Sequence, residues 1–250
     1  MSLIYEPKGR AREYSALACN VYSGCGHKCI YCFAPDATFK DRPTFYTAKP
    51  RKNYLELLEK EVSKIHANGN RVLLSFTCDP YQQIDIVFQH TRETIKMLKA
   101  HGIAFQVLTK GGDLALRDID LYTAKDAFAT SLTLLDNKLS REWEPKAALP
   151  QERIDTIQEF HKAGIETWVS LEPVLNPDTA LEIINNTHEF VDLYKVGKLN
   201  YHQLAKTIDW RKFAYDVVSL LDSLNKKYYI KDDLKVFLRN HEPQIMLPAF

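Results

Sequence analysis

The chain has no long apolar run: nothing in its 250 residues approaches the about 18 consecutive apolar positions of a membrane-spanning helix. It has no fixed-period repeat, no low-complexity tract and no convincing linker. Neither sign of charge prevails, with 33 Lys and Arg against 32 Asp and Glu for a net charge of +1. A protein that tracks long duplex nucleic acid usually shows a stronger basic stripe. A disulfide scaffold is disfavoured too. Five cysteines is an odd number, the chain is too large to need staples, and no signal peptide precedes them. Reduced thiols without an export signal predict a cytoplasmic protein. At 45% hydrophobic and 26% charged, the chain suits one α/β barrel-sized domain as well as two small ones.

Three of the five cysteines stand together, in Cys25-Gly26-His27-Lys28-Cys29-Ile30-Tyr31-Cys32. Thiolates at this spacing form a soft-ligand cage within one tight loop. A structural zinc site would close a tetrahedron with four ligands, usually as two pairs from separate places. Here His27 would have to fold back on its own turn, and Cys19 and Cys78 are single residues that open no second pair. On a four-iron cluster, three cysteines leave one iron without a protein ligand, open to a small molecule. Ligand number and spacing therefore favour a [4Fe-4S] cluster over zinc.

Around this loop one pattern repeats: an amphipathic helix, a glycine, then a β-rich run. A helix opening near Asn53, with Glu56 as a capping partner, carries Leu55, Leu58, Val62 and Ile65 on one face. It leads through Gly69 to a strand at 71–76. The patterns at 91–100 and around Ile154, Ile157 and Phe160 lead likewise through Gly102 and Gly164 to strands at 103–109 and 166–171. Further strands are predicted at 18–23, 127–134 and 193–196. Strands alternating with helices argue for a parallel sheet, and about six of them for a partial, open (β/α)6 TIM-like barrel. Residues 1–200 are expected to form this barrel and 201–250 a C-terminal helical extension packed on it. Within the extension, 228–231 forms either another strand or a lid.

Active sites of parallel α/β sheets gather at the C-terminal strand ends. Polar residues stand at every one of them. The cysteine loop follows the first strand and Thr77-Cys78-Asp79-Pro80-Tyr81 the second. Thr109-Lys110 ends the third, Ser131 and Thr133 lie on the fourth, Glu172-Pro173 ends the fifth, and Lys195 to Asn200 follow on the sixth. Such a set suits a polar, zwitterionic ligand.

On these residues the chain resembles the radical S-adenosylmethionine (SAM) superfamily, whose cluster loop has the same C-x3-C-x2-C spacing and an aromatic before the last cysteine. It is similar in particular to the branch of spore photoproduct lyase and the "DNA repair photolyase"-like proteins, from about Ala18 to Pro173. That likeness adds Thr77 and Asp79, the Thr109-Lys110 pair, Ser131, Glu144-Pro145 and Arg153. It implies the same partial barrel, with Cys25, Cys29 and Cys32 holding the cluster and the fourth iron chelating the amino and carboxylate groups of SAM. Thr77 and Cys78 would line the methionine end, Asp79 of the same turn would be a further cofactor-binding residue, and Lys110 would meet a carboxylate or ribose. Ser131 would hydrogen-bond the carboxylate or ribose, and Tyr31 would pack between loop and cofactor. Arg153 is either a cofactor contact or the partner of Glu144. Glu172 is a cofactor contact, a substrate acid or a strand-end cap.

The implied activity is reductive cleavage of SAM to a 5′-deoxyadenosyl radical that abstracts hydrogen from a nucleobase, nucleotide or nucleic acid. A reductant such as flavodoxin or ferredoxin would be the partner. Residues 1–52 support an anionic substrate with nine Lys or Arg against four acids, although an ordinary solvated surface gives the same count. The lyase has a hydrogen-relay cysteine just before its second-strand turn and a tyrosine directly after its last cluster cysteine. Phe76 and Phe33 take these positions here, and neither can donate a hydrogen atom. Repair of spore photoproduct is therefore not expected. Cys78, Tyr81 and Tyr201 are the candidate final hydrogen donors. A small metabolite as substrate, and a non-enzymatic cluster-binding or redox-sensing module, are the alternatives. A peptide substrate is disfavoured because no cysteine follows Cys78 to hold a further cluster.

Overall fold

The residues described by the computed structural model are 2–238. Their strands are β1 Ile4–Tyr5, β2 Leu17–Cys19, β3 Tyr22–Ser23, β4 Lys49–Pro50, β5 Val72–Leu74, β6 Phe105–Thr109, β7 Ala127–Ser131, β8 Glu166–Val174, β9 Leu193–Lys198 and β10 Lys227–Ile230. Eight form one sheet in the order β1-β2-β5-β6-β7-β8-β9-β10. From β2 to β10 every pairing is parallel, and β1 runs antiparallel on the edge beside β2. The sheet does not close, so the architecture is the open partial barrel expected. The run 228–231 supplies a seventh parallel strand, β10, and not a lid. The predicted strand 18–23 divides: β2 stays in the barrel, while β3 leaves it to pair with β4.

Helices Tyr54–Val62, His90–Ala100, Pro150–Lys162 and Pro177–Thr187 cover the outside between strands. Asn53 is not the capping residue its position suggested. It adopts φ 53°, a left-handed conformation, and its side chain accepts no cap bond. Gly102 and Gly164, at φ 67° and 75°, reverse the chain into β6 and β8 where a side chain would be strained.

Pleat alternation sorts the sheet's two faces. Cys19, Val72, Leu74, Phe128 and Val169 point outward into the main core under the helices. Ala18, Leu73, Ala127, Ala129, Trp168 and Leu193 point inward. The small inward residues leave room for the segment before β2, and Tyr14 fills it. That segment spans the open side of the barrel. Glu13 accepts bonds from the Tyr229 hydroxyl (3.2 Å) and the Asp232 amide (2.7 Å), and Arg10 meets Asp233 at 3.5 Å. The amphipathic helix expected near Phe213 runs from Trp210 to Ser223 and delivers the chain to β10. Residues 239–250 of the expected extension lie outside the described residues. No helix among those described is long and apolar enough to cross a membrane.

Candidate functional site

The loop after β3 carries the three clustered cysteines, and its backbone is pinned from several elements. The Cys25 amide donates to the Phe45 carbonyl (3.0 Å) and the Ile30 amide to the Trp143 carbonyl (2.9 Å). The His27 carbonyl accepts from the Lys146 amide at 3.1 Å. Gln82, buried after the β5 turn, accepts from the Gly26 amide (2.7 Å) and donates to the Gly24 carbonyl (3.3 Å). So held, Cys25, Cys29 and Cys32 line one wall of a cavity of about 540 Å³ at the C-terminal ends of the strands. Burial pushes all three thiols up, Cys29 to about 12, and the Lys110 ammonium opposes that rise at Cys29 and Cys32. Among the described residues, no three His, Cys, Asp or Glu side chains converge on a single ion. Three thiols spread over a cavity wall beside a cation suit an anionic, thiolate-ligated cluster.

Two buried carboxylates hold the other groups on this side. Asp79 accepts from the Thr109 hydroxyl (2.5 Å), the Lys110 amide (2.7 Å) and the Tyr81 amide (2.9 Å), and His27 Nδ1 stands 3.4 Å away. It thereby ties the β5 turn to the end of β6 and to the cysteine loop. Glu144 meets Arg153 at 2.5 Å, accepts from the Thr133 hydroxyl (3.0 Å) and from the Tyr31 hydroxyl, and lies 3.9 Å from Lys110 Nζ. Burial would push its carboxyl up, but the Arg153 and Lys110 charges and the Tyr31 bond outweigh that and hold it low. Lys110 also stands over the Tyr31 ring at 5.6 Å from its centroid.

The β5 end adds Phe76, Thr77 and Cys78 to the cavity wall. Phe76 adopts φ 108°, which side-chain-bearing residues rarely do, and meets Tyr14 edge-on at 6.0 Å. Asn20 accepts from the Thr77 amide at 2.7 Å, and burial pushes the Cys78 thiol up to about 12. On β7, Ser131 shares the inward register of Ala127 and Ala129 and reaches the cavity, whereas Thr133 lies beyond the strand and supports Glu144.

The β8–β10 side is built from residues far apart in sequence. The Tyr14 hydroxyl donates to Glu172 at 2.5 Å and lies 2.8 Å from the Ser170 hydroxyl. Lys231 donates to Glu172 at 2.8 Å and meets Glu13 at 3.5 Å. Beneath them Lys195 donates to the Tyr14 carbonyl at 2.8 Å; burial, then the nearby Lys231 charge, push its amine down to about 7. Burial and the Glu172 charge push the Tyr14 phenol up. Lys8, Arg10, Lys198, Asn200 and Tyr201 complete the lining. Tyr201 is 95% exposed, with the Arg10 guanidinium 5.7 Å from its ring centroid.

The cavity thus brings together Cys25, Cys29, Cys32, Tyr31, Thr77, Cys78, Asp79, Lys110, Ser131, Glu172 and Tyr201. It does not include Tyr81 or Arg153. The Tyr81 hydroxyl is buried against Asp118 (3.0 Å), away from the cavity, and Arg153 is buried against Glu144 as a positioning residue. Sequence reasoning passed over Tyr14, Ser170, Lys231, Gln82 and Asn20, none of which lies in a motif. Ser170 alone had a signal, two residues before Glu172 on a predicted strand and so on its face.

The model of the radical SAM superfamily matches residues 19–191. An uncharacterized protein of Mycobacterium tuberculosis is 31% identical over 166 residues, covering 62% of this chain and 48% of that protein. A protein of Pseudomonas phage M6 named as a radical SAM Nalpha-GlyT isomerase is 26% identical over 204 residues, covering 78% of this chain and 40% of that protein. The chain thus spans less than half the length of either relative. Among solved structures, spore photoproduct lyase complexed with dinucleoside spore photoproduct superposes with a TM-score of 0.67 at 13% identity, covering 90% of this chain and 78% of the other. Streptococcus suis SuiB bound to S-adenosylmethionine gives 0.65 at 15% identity, covering 90% and 52%. At such identities the likeness to the two structures is one of fold.

Proposed function

The chain belongs to the radical SAM superfamily, and on that premise we propose that it acts on a nucleobase, nucleotide or nucleic acid. It is a radical SAM enzyme whose cofactors are a [4Fe-4S] cluster and SAM, and its chemistry requires an electron donor. When bound, these cofactors supply a 5′-deoxyadenosyl radical able to abstract hydrogen.

Cys25, Cys29 and Cys32 hold the cluster in this reading. Lys110 offers its charge to the SAM carboxylate, Ser131 offers a hydroxyl to the carboxylate or ribose, and Thr77 and Cys78 flank the methionine end. Asp79, already bonded to Thr109 and Lys110, keeps the β6 end in place. Cys78 and Tyr201, both on the cavity, are the candidates to return hydrogen to the substrate. The electron donor is a flavodoxin- or ferredoxin-type carrier, and the enzyme works in the cytoplasm.

The observation that carries the substrate class is the lining on the β8–β10 side. Lys8, Arg10 and Lys198 offer charge to phosphate, and the exposed Tyr201 face beside Arg10 offers a stacking platform for a base. A base within duplex would have to be extruded to reach it. The dinucleoside-bound lyase lends support by its name alone. Phe76 and Phe33 argue that the substrate is not spore photoproduct.

The test is anaerobic: reconstitute with iron and sulfide, reduce with dithionite, add SAM and follow 5′-deoxyadenosine, with Cys29→Ala as control. Product from the wild type alone is expected; no product together with no SAM-induced change in the cluster's EPR signal would sink the cofactor assignment. Binding of a single-stranded oligonucleotide, weakening steeply with salt, tests the substrate class. No binding at low salt would turn the assignment toward a small metabolite.

A further inference from the structure

Ser170 and Glu172 stand two residues apart on β8, share a face, and both line the cavity. What they can offer a ligand follows from where the hydrogens around them go. The Tyr14 hydroxyl has a single hydrogen and donates it to Glu172 at 2.5 Å. Its 2.8 Å contact with Ser170 must therefore run the other way, with the Ser170 hydroxyl donating to the Tyr14 oxygen. Ser170 then has no hydrogen left to give and can only accept. Glu172, a carboxylate paired with Lys231, accepts only as well. Of that ion pair the carboxylate is what the cavity meets, since the Glu172 side chain is 18% exposed and that of Lys231 3%. Tyr14 and Lys231 both bond Glu172 Oε2 within 2.8 Å, whereas Lys231 reaches Oε1 only at 3.1 Å, so Oε1 is the freer acceptor. Glycine at 197 seats the pair: a Cβ there would stand 2.8 Å from Glu172 Cδ and 2.9 Å from Lys231 Cδ.

We propose that Ser170 and Glu172 recognise the donor edge of guanine, so that the substrate is a guanine nucleotide, free or within a single strand. The inference rests on the nucleotide reading of the site and specifies the base. Two acceptors held against one phenol oxygen, with no donor between them, match two N–H groups side by side. Guanine alone among the common bases has that pair, N1–H and N2–H, on its Watson–Crick edge, the edge by which an unstacked base is read. Thymine and uracil set one N–H between two carbonyls, which would face the oxygens of Ser170 and Glu172. Adenine and cytosine put an acceptor ring nitrogen beside their amino group. Acceptors desolvated without a donor are costly, so this wall penalises the wrong base as well as holding the right one. Position agrees. Lys8, Arg10 and Lys198 border the same side of the cavity and suit the phosphate, while the donors Lys110 and Ser131 stand elsewhere along its lining.

The experiment measures, by calorimetry on the reconstituted protein with SAM, the affinities for dGMP, for dIMP, which lacks the 2-amino group, and for dTMP. Wild type, Glu172→Gln and Tyr14→Phe are compared, and SAM affinity is measured alongside. The wild type should bind dGMP about tenfold more tightly than dTMP, with dIMP between them. Glu172→Gln puts a donor among the acceptors and should bring the dGMP-to-dTMP ratio close to one. Tyr14→Phe keeps the Lys231 pair but frees the Ser170 hydrogen for a carbonyl, and should narrow the ratio. A variant that is merely less stable weakens all three nucleotides alike and leaves the ratio unchanged, so the ratio reports recognition. Equal binding of the three by the wild type would overturn the inference and leave the nucleotide reading standing, whereas binding of none strikes that reading too. A preference that survives Glu172→Gln would also overturn it, and a fall in SAM affinity beside it would make Glu172 a cofactor contact.

Discussion

The two sides of the cavity are built in opposite ways. On the cysteine side the reactive groups sit within eight consecutive residues, and distant elements merely brace them. On the β8–β10 side the groups themselves come from distant places, Tyr14 to Ser170 being 156 residues apart and Tyr229 to Glu13 being 216. The braces differ in chemistry too. Glu144 is matched to a guanidinium, whose charge is fixed and whose fork suits a carboxylate. Glu13 and Glu172 share one ammonium, Lys231, above a second buried lysine. Arg153 keeps its charge at any ordinary pH, whereas burial pushes the amine of Lys195, beneath the second arrangement, down to about 7.

The sharpest way to break the comparison is to remove the rigid brace. Glu144→Leu leaves the Arg153 guanidinium, 1% exposed, without its carboxylate and takes an acceptor from Tyr31 and Thr133. Uncompensated burial of that kind costs about 3–5 kcal/mol, a large share of a typical domain's stability. Urea unfolding should show that loss, with reduced iron loading because Tyr31 adjoins Cys32. Adding Arg153→Met should restore most of the stability, since an apolar pair of similar volume has no charge to strand. A single variant as stable as the wild type would mean that the pair does not brace the site.

The titratable brace gives a smaller effect with a definite sign. Lys195 has its folded pKa depressed to about 7. Below pH 7 the amine is charged in both states and the folded protein carries the full cost of burying it. Between pH 7 and the unfolded value of about 10.4, the unfolded chain binds more protons, so stability rises with pH. Relative to Lys195→Met, the wild type should gain about 2 kcal/mol from pH 7 to pH 9, read as the difference between urea midpoints. Parallel curves for the two proteins would show that Lys195 stays charged throughout.

This contrast also marks what the amino-acid order reveals. The cysteine loop was legible because its three thiols stand within eight consecutive residues, at a spacing that can be read without any partner. The parallel strands were legible because their periodicity alternates with helical faces, although the break after Cys19 was not, since β3 departs to pair with β4 only in three dimensions. Lys110, Ser131 and Glu172 could be found as strand-end residues without knowing their partners. Tyr14 could not. It precedes its strand, lies in no motif, and becomes part of the site only because the segment before β2 crosses the open side of the barrel. Tyr81 and Arg153 lie off the cavity for the converse reason: both belong to suggestive local patterns, yet their partners, Asp118 and Glu144, turn them into the interior, and for Arg153 that pairing was one of the two expectations.

The gentlest change asks whether the two sides are separable. Tyr14→Phe keeps the ring against Phe76 and Trp168 and removes only the hydroxyl shared by Glu172 and Ser170. Lys231 still satisfies Glu172, so the loss should be that of one hydrogen bond to a charged group, about 1–2 kcal/mol in urea unfolding. Iron content and dithionite-driven 5′-deoxyadenosine should stay at the wild-type level, because no hydrogen bond runs from Tyr14 to the cysteine loop. Affinity for a single-stranded oligonucleotide is the quantity that should move, since Glu172 loses the donor that aims it at the cavity. A fall in iron loading would instead show that the segment spanning the barrel's open side holds both walls, and that the cysteine loop depends on residues its own motif does not reveal.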